Sequence, residues 1–397
     1  MSRANRSRRE VLGALAATGA ATFVDPGPVL AHLVATQPCS DPTTASELLG
    51  TLPLSRAGAP VQPFGVKFGG TGLDARLVTD LSRLQPDRLI TPNALAYIRT
   101  ECPRAAAERS PWTITTSGLV TREGTLTLED LTRVARSMGR HLFECAGNNN
   151  PANFGLMSVA EWDGVPLMDV VSALPLSARA TGVVVSGVDH DGQKSADSIP
   201  GASWVFPLAA LDQLGAFFAV RMNRDPVPLD HGKPVRLVVP GWYGCAWIKW
   251  VNEIRLVGPD EPATSQMREF AGRTHQIGRH DLARDYAPAA IDTAATPVRI
   301  EKRRGPAGVE YRIVGIVWGG TRPVDRLEIR FGTTDAWKPF SICPLPRTHK
   351  EWSLWEYRWK PDTAGSYRIA LRVPDLTVPQ HRLDGGYYVR EVTIDEV

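Results

Sequence analysis

The stretch "HLFECAGNNNPANFG", residues 141–155, sets one cysteine, Cys145, in a small polar turn with Gly147 and three successive asparagines, Asn148, Asn149 and Asn150. A buried structural cysteine prefers apolar neighbours, and a disulfide cysteine needs a partner. A thiolate engaged in chemistry needs instead a backbone that lets another group come close, which glycine and short side chains allow. The chain has five cysteines (Cys39, Cys102, Cys145, Cys245 and Cys343), an odd count with no Cys-x-x-Cys pair. That pattern argues against a disulfide framework, a zinc ribbon or covalently attached c-type haem.

Around this turn the composition is that of an ordinary globular protein. The 397 residues are 43% hydrophobic and 22% charged, enough for two or three domains with a sizeable core. A formal charge of +3 is too small for generic nucleic-acid binding or polybasic membrane attachment. The 35 glycines and 32 prolines point to short strands, much loop and few long helices. At the N-terminus, Arg8 and Arg9 follow Ser7 and precede a weakly apolar, Ala/Gly-rich run over residues 11–24. This order resembles a twin-arginine export signal over residues 1–31, and it implies export of a folded protein to the periplasm or beyond the cell. The run is too short to cross a bilayer, so no membrane span is expected in the mature chain.

Residues 32–63 are rich in Pro, Thr and Ser and read as an arm wrapping a domain. Residues 64–295 mix strands and helices. "TLTLEDLTRVARSM" (125–138) reads as a helix capped by Thr127, with Asp130 three residues on, and "WDGVPLMDVVSAL" (162–174) reads as another with Pro166 near its start. "TGVVVSGVD", "KPVRLVVPG" and "WIKWVNEIRLVG" are strand-like. Residues 260–295 look like a charged, Ala-rich linker. From about Thr296, "EYRIVGIVWGG", "VDRLEIRFG", "SYRIALRVPD" and "YYVREVTIDEV" alternate apolar and polar residues between Gly/Pro turns, the pattern of an antiparallel β-sandwich. The fold class is therefore α+β: a mixed α/β domain followed by a sandwich over residues 296–397. Trp352, Trp355, Tyr357 and Trp359 are expected in the sandwich core and at an interface with a second copy.

Four stretches carry the chemistry. "LITPNALAYIRTECP" holds Arg99, "FECAGNNN" holds Cys145, "PLDHGKPVRLVVPG" holds His231 and Arg236, and "GWYGCAWIKWV" holds Lys249. Each alone is unremarkable: such a cysteine is commonly packing, such a histidine a turn residue, such a cation a surface charge. Together they suit a transition metal bound by one soft thiolate. One cysteine cannot close such a site. A dithiolene cofactor would supply the other ligands, and its phosphate and polar pterin edges would be held by Arg, Lys, His and glycine-rich backbone at Gly147, Gly241 and Gly244.

"CAGN", "DHGKPVR" followed by "VVPG", and "IKW", in this order and spacing, resemble the sulfite oxidase family of molybdenum enzymes, from about residue 90 to the C-terminus. "VGIVWGG", "VDRLEIRF" and "WSLWEYRW" are similar to that family's immunoglobulin-like dimerisation domain. The resemblance implies a molybdenum-molybdopterin cofactor with Cys145 as the metal thiolate and Arg99 beside the metal. It implies that Tyr97, Ile98, Arg99, Thr100 and Glu101 form a cofactor-contacting segment, that Asp189 contacts the pterin, that His231 and Arg236 hold the cofactor, and that Trp247, Ile248 and Lys249 close over the pterin and phosphate. It further implies a homodimer, a small-molecule substrate, oxygen-atom transfer on a sulfur oxyanion or related S- or N-oxide, and a separate electron carrier such as a cytochrome, since no Cys-x-x-Cys-His run is present.

The sequence departs from the family around the substrate. Asn149 and Asn150 stand where two arginines usually follow "CAGN", Val220 stands where a tyrosine is usual, and Glu101 stands where a histidine is common. Neutral amides cannot replace charge that holds a dianion, and valine has no proton to give. The stretch after "CAGN" is also shorter. Cys102 and Cys245 read as buried small residues, the alternative being a tuned metal environment or a redox pair, and His190 reads as a turn residue. Two other readings are compatible with the residues alone: a cysteine hydrolase with Cys145 as nucleophile and His231 as base, and a non-catalytic exported binding protein.

Overall fold

The computed structural model describes residues 46–54, 72–103, 108–148, 154–188, 202–270, 289–342, 346–381, 383, 385 and 388–397, without the side chains of 72–76 and 100–103. The twin-arginine segment, Asp189, His190, Asn149, Asn150, Cys39 and Cys343 lie outside the described residues.

Two five-stranded sheets form the first part of the molecule. In one, strands run in the order Asp225–Pro226, Phe217–Met222, Met157–Pro166, Arg136–Glu144, with Arg236–Val238 also paired to Phe217–Met222. In the other the order is Gly124–Thr127, Thr113–Gly118, Val251–Val257, Gly182–Gly187, Ser203–Pro207. Only the Thr113–Gly118 and Val251–Val257 pair in that sheet is parallel. The pairing of Arg136–Glu144 with Met157–Pro166 ends at Glu144 opposite Met157, so Cys145 is the first residue beyond the ladder.

The C-terminal part is two four-stranded antiparallel sheets, as the alternating pattern predicts. One is ordered Glu47–Pro53, Ala294–Gly305, Gly308–Trp318, Ser353–Trp359; the other is Lys338–Ser341, Arg326–Arg330, Gly365–Arg372, Arg390–Ile394. In Arg326–Arg330 the inward positions are Leu327 and Ile329, both fully buried between charged neighbours. The two parts share contacts: the Trp352 indole donates to the Leu89 carbonyl at 2.9 Å, and the buried Arg299 guanidinium donates to the carbonyls of Leu84 at 2.6 Å and Ser82 at 3.2 Å.

Several expectations change. The Thr127 cap is real: its hydroxyl accepts from Asp130 N–H, and the Asp130 carboxylate accepts from Thr127 N–H. The helix covers only Leu128–Val134, however, because residues from Arg136 onward are taken into the ladder with Met157–Pro166. The first residues of "WDGVPLMDVVSAL" likewise belong to a strand, and the helix is Leu167–Ser172. The supposed linker contains a helix, Ser265–Phe270, whose Gln266 and Met267 are buried; Gln266 accepts from Ser203 N–H at 3.1 Å. Strand Ala294–Gly305 begins before Thr296. From the N-terminal arm, Glu47–Pro53 joins the C-terminal sandwich as an edge strand instead of wrapping the preceding part. Trp352, Trp355 and Trp359 are buried inside this chain, and Phe331 stacks on Trp359 at 4.4 Å, so these rings do not form an exposed aromatic face for a second copy. No described helix is long and apolar enough to cross a membrane.

His141 ends up buried in strand Arg136–Glu144, and burial is the main reason its imidazole is lowered to about 4, against a hydrogen bond to the Met138 carbonyl. The unfolded chain then binds a proton near pH 6.5 that the folded chain refuses. Stability is therefore lost as pH falls from about 6.5 towards 4, by roughly 3 kcal/mol in full. Chemical denaturation of wild type and His141→Gln across this window should show the wild type losing that much more stability than the variant; parallel curves would contradict it.

Candidate active site

Cys145 leaves its strand at the start of a closed loop. Its N–H donates to the Leu156 carbonyl at 2.9 Å, and Asn148 N–H donates back to the Cys145 carbonyl at 2.9 Å. The Asn148 side chain locks the loop ends: Oδ1 accepts from Gly155 N–H at 2.9 Å and Leu156 N–H at 3.0 Å, and Nδ2 donates to Glu144 Oε1 at 2.9 Å. The asparagine of "CAGN" is thus the clasp of the turn. Within the turn Gly147 N–H donates to Cys145 Sγ at 3.3 Å, a geometry that favours the thiolate.

Two residues before Cys145, Phe143 points its ring into a cluster that holds the Arg236 guanidinium. The Arg236 Cζ lies 5.8 Å from the Phe143 ring, 5.3 Å from Trp162 and 5.5 Å from Trp247, and Nη1 donates to the His231 carbonyl at 3.0 Å. The His231 ring meets Phe143 edge-on at 6.2 Å. Lys249 reaches across with Nζ to the carbonyls of Arg99 at 3.2 Å and Asp230 at 3.4 Å, and lies 4.6 Å from the Trp250 ring. Trp250 holds a left-handed backbone (φ 49°), a strained state for a bulky residue. It is kept there by its indole donating to the Leu229 carbonyl at 2.9 Å and its N–H to Gly232 at 3.3 Å.

Two glycines make this proximity possible. A Cβ on Gly232 (φ +105°) would lie 2.9 Å from Lys249 Cβ and 3.1 Å from Arg236 Cβ. A Cβ on Gly244 would lie 2.7 Å from the Tyr97 hydroxyl and 3.2 Å from the Glu144 carbonyl oxygen. The second contact sets the "GWYGC" segment directly against the strand end that carries Cys145.

These elements line a pocket of about 320 Å³, open mouth included, bounded by Tyr97, Ile98, Arg99, Phe143, Asp230, His231, Arg236, Gly244, Trp247 and Lys249. Of the residues expected from the sequence, Tyr97, Ile98, Arg99, His231, Arg236, Trp247 and Lys249 line it together. Cys145 does not line it but borders it through Tyr97, whose buried phenol feels the thiols of both Cys145 and Cys245. Ile248 faces the core, and only its backbone takes part, accepting from Leu237 N–H at 2.7 Å. Arg99 is exposed. Thr100 and Glu101 are described only as backbone, in strand Ile98–Pro103 paired with Gly72–Leu77. Val220 is buried at a bulge in its strand and is not among the lining residues. Phe143, Trp162, Asp230, Glu144 and Asn148 were not expected. Asp230 and Glu144 each sit one residue from an expected site residue, a usable signal; Trp162 gives none.

The electrostatics follow from burial. His231 is held well below the usual imidazole range by burial first, then by Arg236 and Lys249, so it is neutral at pH 7. One hydrogen bond goes to the Asn93 backbone, while buried Nε2 has no partner among the described residues. Burial raises Asp230 to about 6 against the opposing pull of Lys249, raises Glu144 to about 7 against the donors Asn148 and Trp318, and pushes the Tyr97 phenol well above 10.

The donor set fits an anionic, nitrogen-rich organic group with a soft metal. It offers a buried guanidinium, an ammonium, a neutral imidazole nitrogen awaiting a partner, and glycine-lined backbone, with a thiol at one edge. Comparison with known proteins gives the same answer. Residues 100–265 match the oxidoreductase molybdopterin binding domain. The chain is 29% identical over 320 residues to the sulfite oxidase of Gallus gallus, covering 74% of this chain and 68% of that one. It is 26% identical over 334 residues to the mitochondrial sulfite oxidase of Homo sapiens, covering 78% and 59%, so it spans well under two thirds of that protein. It is 27% identical over 337 residues to inducible nitrate reductase [NADH] 2 of Glycine max, covering 74% and 37%. The fold is also that of the sulfane dehydrogenase SoxCD from Paracoccus pantotrophus, with a TM-score of 0.60 at 18% identity over 85% of this chain and 91% of that one. Fold and site together define a molybdopterin-binding oxidoreductase whose cofactor is molybdenum-molybdopterin. Within that class the chain is similar to the sulfite oxidases over about three quarters of its length.

Gly232→Ala tests the cradle. The added methyl meets Lys249 and Arg236 in a backbone conformation that alanine disfavours, so the folded state should lose about 2–3 kcal/mol and cofactor retention should fall. Thermal denaturation and pterin fluorescence measure both; unchanged values would contradict the cradle.

Proposed function

We propose that this enzyme catalyses oxygen-atom transfer on a small sulfur oxyanion or related S- or N-oxide, exchanging electrons with a separate carrier such as a cytochrome. The observation that carries the reading is the meeting of the Cys145 turn with buried His231 and Arg236 and half-buried Lys249 around one pocket. When bound, the molybdenum-pterin group supplies oxygen exchange and reversible two-electron chemistry; the chain supplies everything that holds and orients it. Cys145 ligates the metal, with Gly147 N–H donating to the sulfur. Arg236 and Lys249 bind the anionic end, and His231 offers Nε2 to a polar edge of the pterin. Arg99, exposed at the pocket mouth, draws in an anionic substrate and favours negative charge developing on its oxygen. Trp162, Trp247 and Phe143 keep water from the guanidinium, which strengthens its attraction for an anion.

The same proposal includes export by the twin-arginine route, on the strength of Arg8 and Arg9, and a homodimer built on an immunoglobulin-like C-terminal sandwich. With the tryptophans spent on the sandwich interior, family resemblance alone supports that dimer. Protein made in a molybdenum-replete host with intact pterin synthesis should contain molybdenum and pterin in equal amounts and turn over such a substrate with an artificial electron acceptor. Molybdenum-free protein would overturn the reading.

The substrate class is testable at Asn149 and Asn150. A charge-assisted contact contributes about 1.5–3 kcal/mol, so restoring cations by Asn149→Arg with Asn150→Arg should lower the KM for sulfite about ten-fold or more. An unchanged KM would show that these positions do not face the substrate.

A further inference from the structure

The carboxyl of Glu144 is buried beside Cys145, and its two oxygens are held from opposite sides. Oε1 accepts from Asn148 Nδ2 at 2.9 Å, within the Cys145 turn. Oε2 accepts from the indole N–H of Trp318 at 2.8 Å, from the last residue of sandwich strand Gly308–Trp318. Trp318 is itself immobilised, 2% exposed, with its ring 6.3 Å from both Phe154 and Tyr388. The chain of contacts is therefore continuous: the sandwich fixes an indole, the indole fixes a carboxyl, the carboxyl fixes Asn148, and Asn148 closes the loop on which Cys145 rides. Neither Asn148 Nδ2 nor the Trp318 indole can serve as an acceptor here, so an amide in place of the carboxyl satisfies only one of them.

We propose that Trp318 is a positioning residue for the molybdenum ligand, and that the C-terminal sandwich sets the placement of the Cys145 sulfur through Glu144 and Asn148. This rests on the reading of Cys145 as the metal thiolate. It makes the sandwich part of the active site's supporting shell, in addition to any role in assembly. Trp318→Phe preserves most of the ring volume and removes only the donor, leaving Glu144 Oε2 buried without one. Loss of such an outer hydrogen bond typically costs about 10–100-fold in metal affinity or activity.

The test uses the holoenzyme. Trp318→Phe should lower kcat about ten-fold with KM changed far less, alter the electron paramagnetic resonance spectrum of enzyme partly reduced with dithionite, and speed amide hydrogen exchange in the peptide spanning residues 145–148. Phe154→Leu, which disturbs packing on the same indole but spares its hydrogen bond, should leave the spectrum as in wild type. If Trp318→Phe does not fold, the same three readouts on Glu144→Gln decide. A wild-type spectrum and exchange rate in the folded variant would overturn the proposal, as would an equal spectral change in Phe154→Leu. Cys145→Ser separates this outcome from failure of the underlying reading. If it leaves molybdenum content and spectrum unaltered, the ligand assignment itself is wrong; if it changes them while Trp318→Phe does not, only the positioning role is lost.

Discussion

A positive charge buried among aromatic rings organises this molecule. The Arg236 guanidinium is taken out of water, which is costly for any ion, and is placed among Phe143, Trp162 and Trp247 with the His231 carbonyl as a hydrogen-bond acceptor. Those partners come from four separate stretches of chain. Satisfying one charge therefore draws together the strand that leads to Cys145, its neighbour bearing Trp162, the His231 turn and the segment leading to Lys249. A site assembled this way has its thiol and its cations placed by the same contacts. It also explains why two glycines are needed, since side chains at Gly232 or Gly244 would hold these stretches apart.

His231 is neutral first because it is buried, and Arg236 and Lys249 beside it further disfavour a third positive charge, so the imidazole is left with a nitrogen able to meet a polar ligand edge without adding charge. The cations and the neutral ring thus offer an anionic heterocycle both charge and hydrogen bonding. On the other side of Cys145, Glu144 and Asn148 rigidify the turn, and Trp318 brings the C-terminal sandwich into the same framework. The Cys145 turn is in this way braced from the C-terminal sandwich as well as from the cation cluster.

Much of this was legible in the sequence because local chemistry recorded it. "CAGN", "DHGKPVR" and "IKW" marked stretches that do converge, and strand alternation marked the two C-terminal sheets. Thr127 and Asp130 marked a helix start through a two-way cap. What the sequence did not display are contacts whose partners lie far apart along it. Nothing near Trp162 announces that its ring faces Arg236, and nothing near Trp318 announces Glu144, 174 positions away. Helix ends failed for the same reason: ladder pairing with Met157–Pro166 overrode the helical preference of "ARSM". The arm failed because Glu47–Pro53 is nearly all exposed, and its place is set by an available edge of the sandwich, not by its own apolar pattern. Family resemblance marks Trp247, Ile248 and Lys249 as one segment and does not tell their directions apart: the Ile248 side chain is buried in the core while Trp247 and Lys249 reach the pocket.

The most direct measurement is X-ray absorption at the molybdenum edge of the purified holoenzyme, compared with Cys145→Ser reconstituted to the same metal content. A thiolate from residue 145 bonded to the metal predicts that the variant shows one sulfur neighbour fewer than wild type, with the remaining sulfur shell retained. Identical sulfur coordination in the two proteins would contradict it.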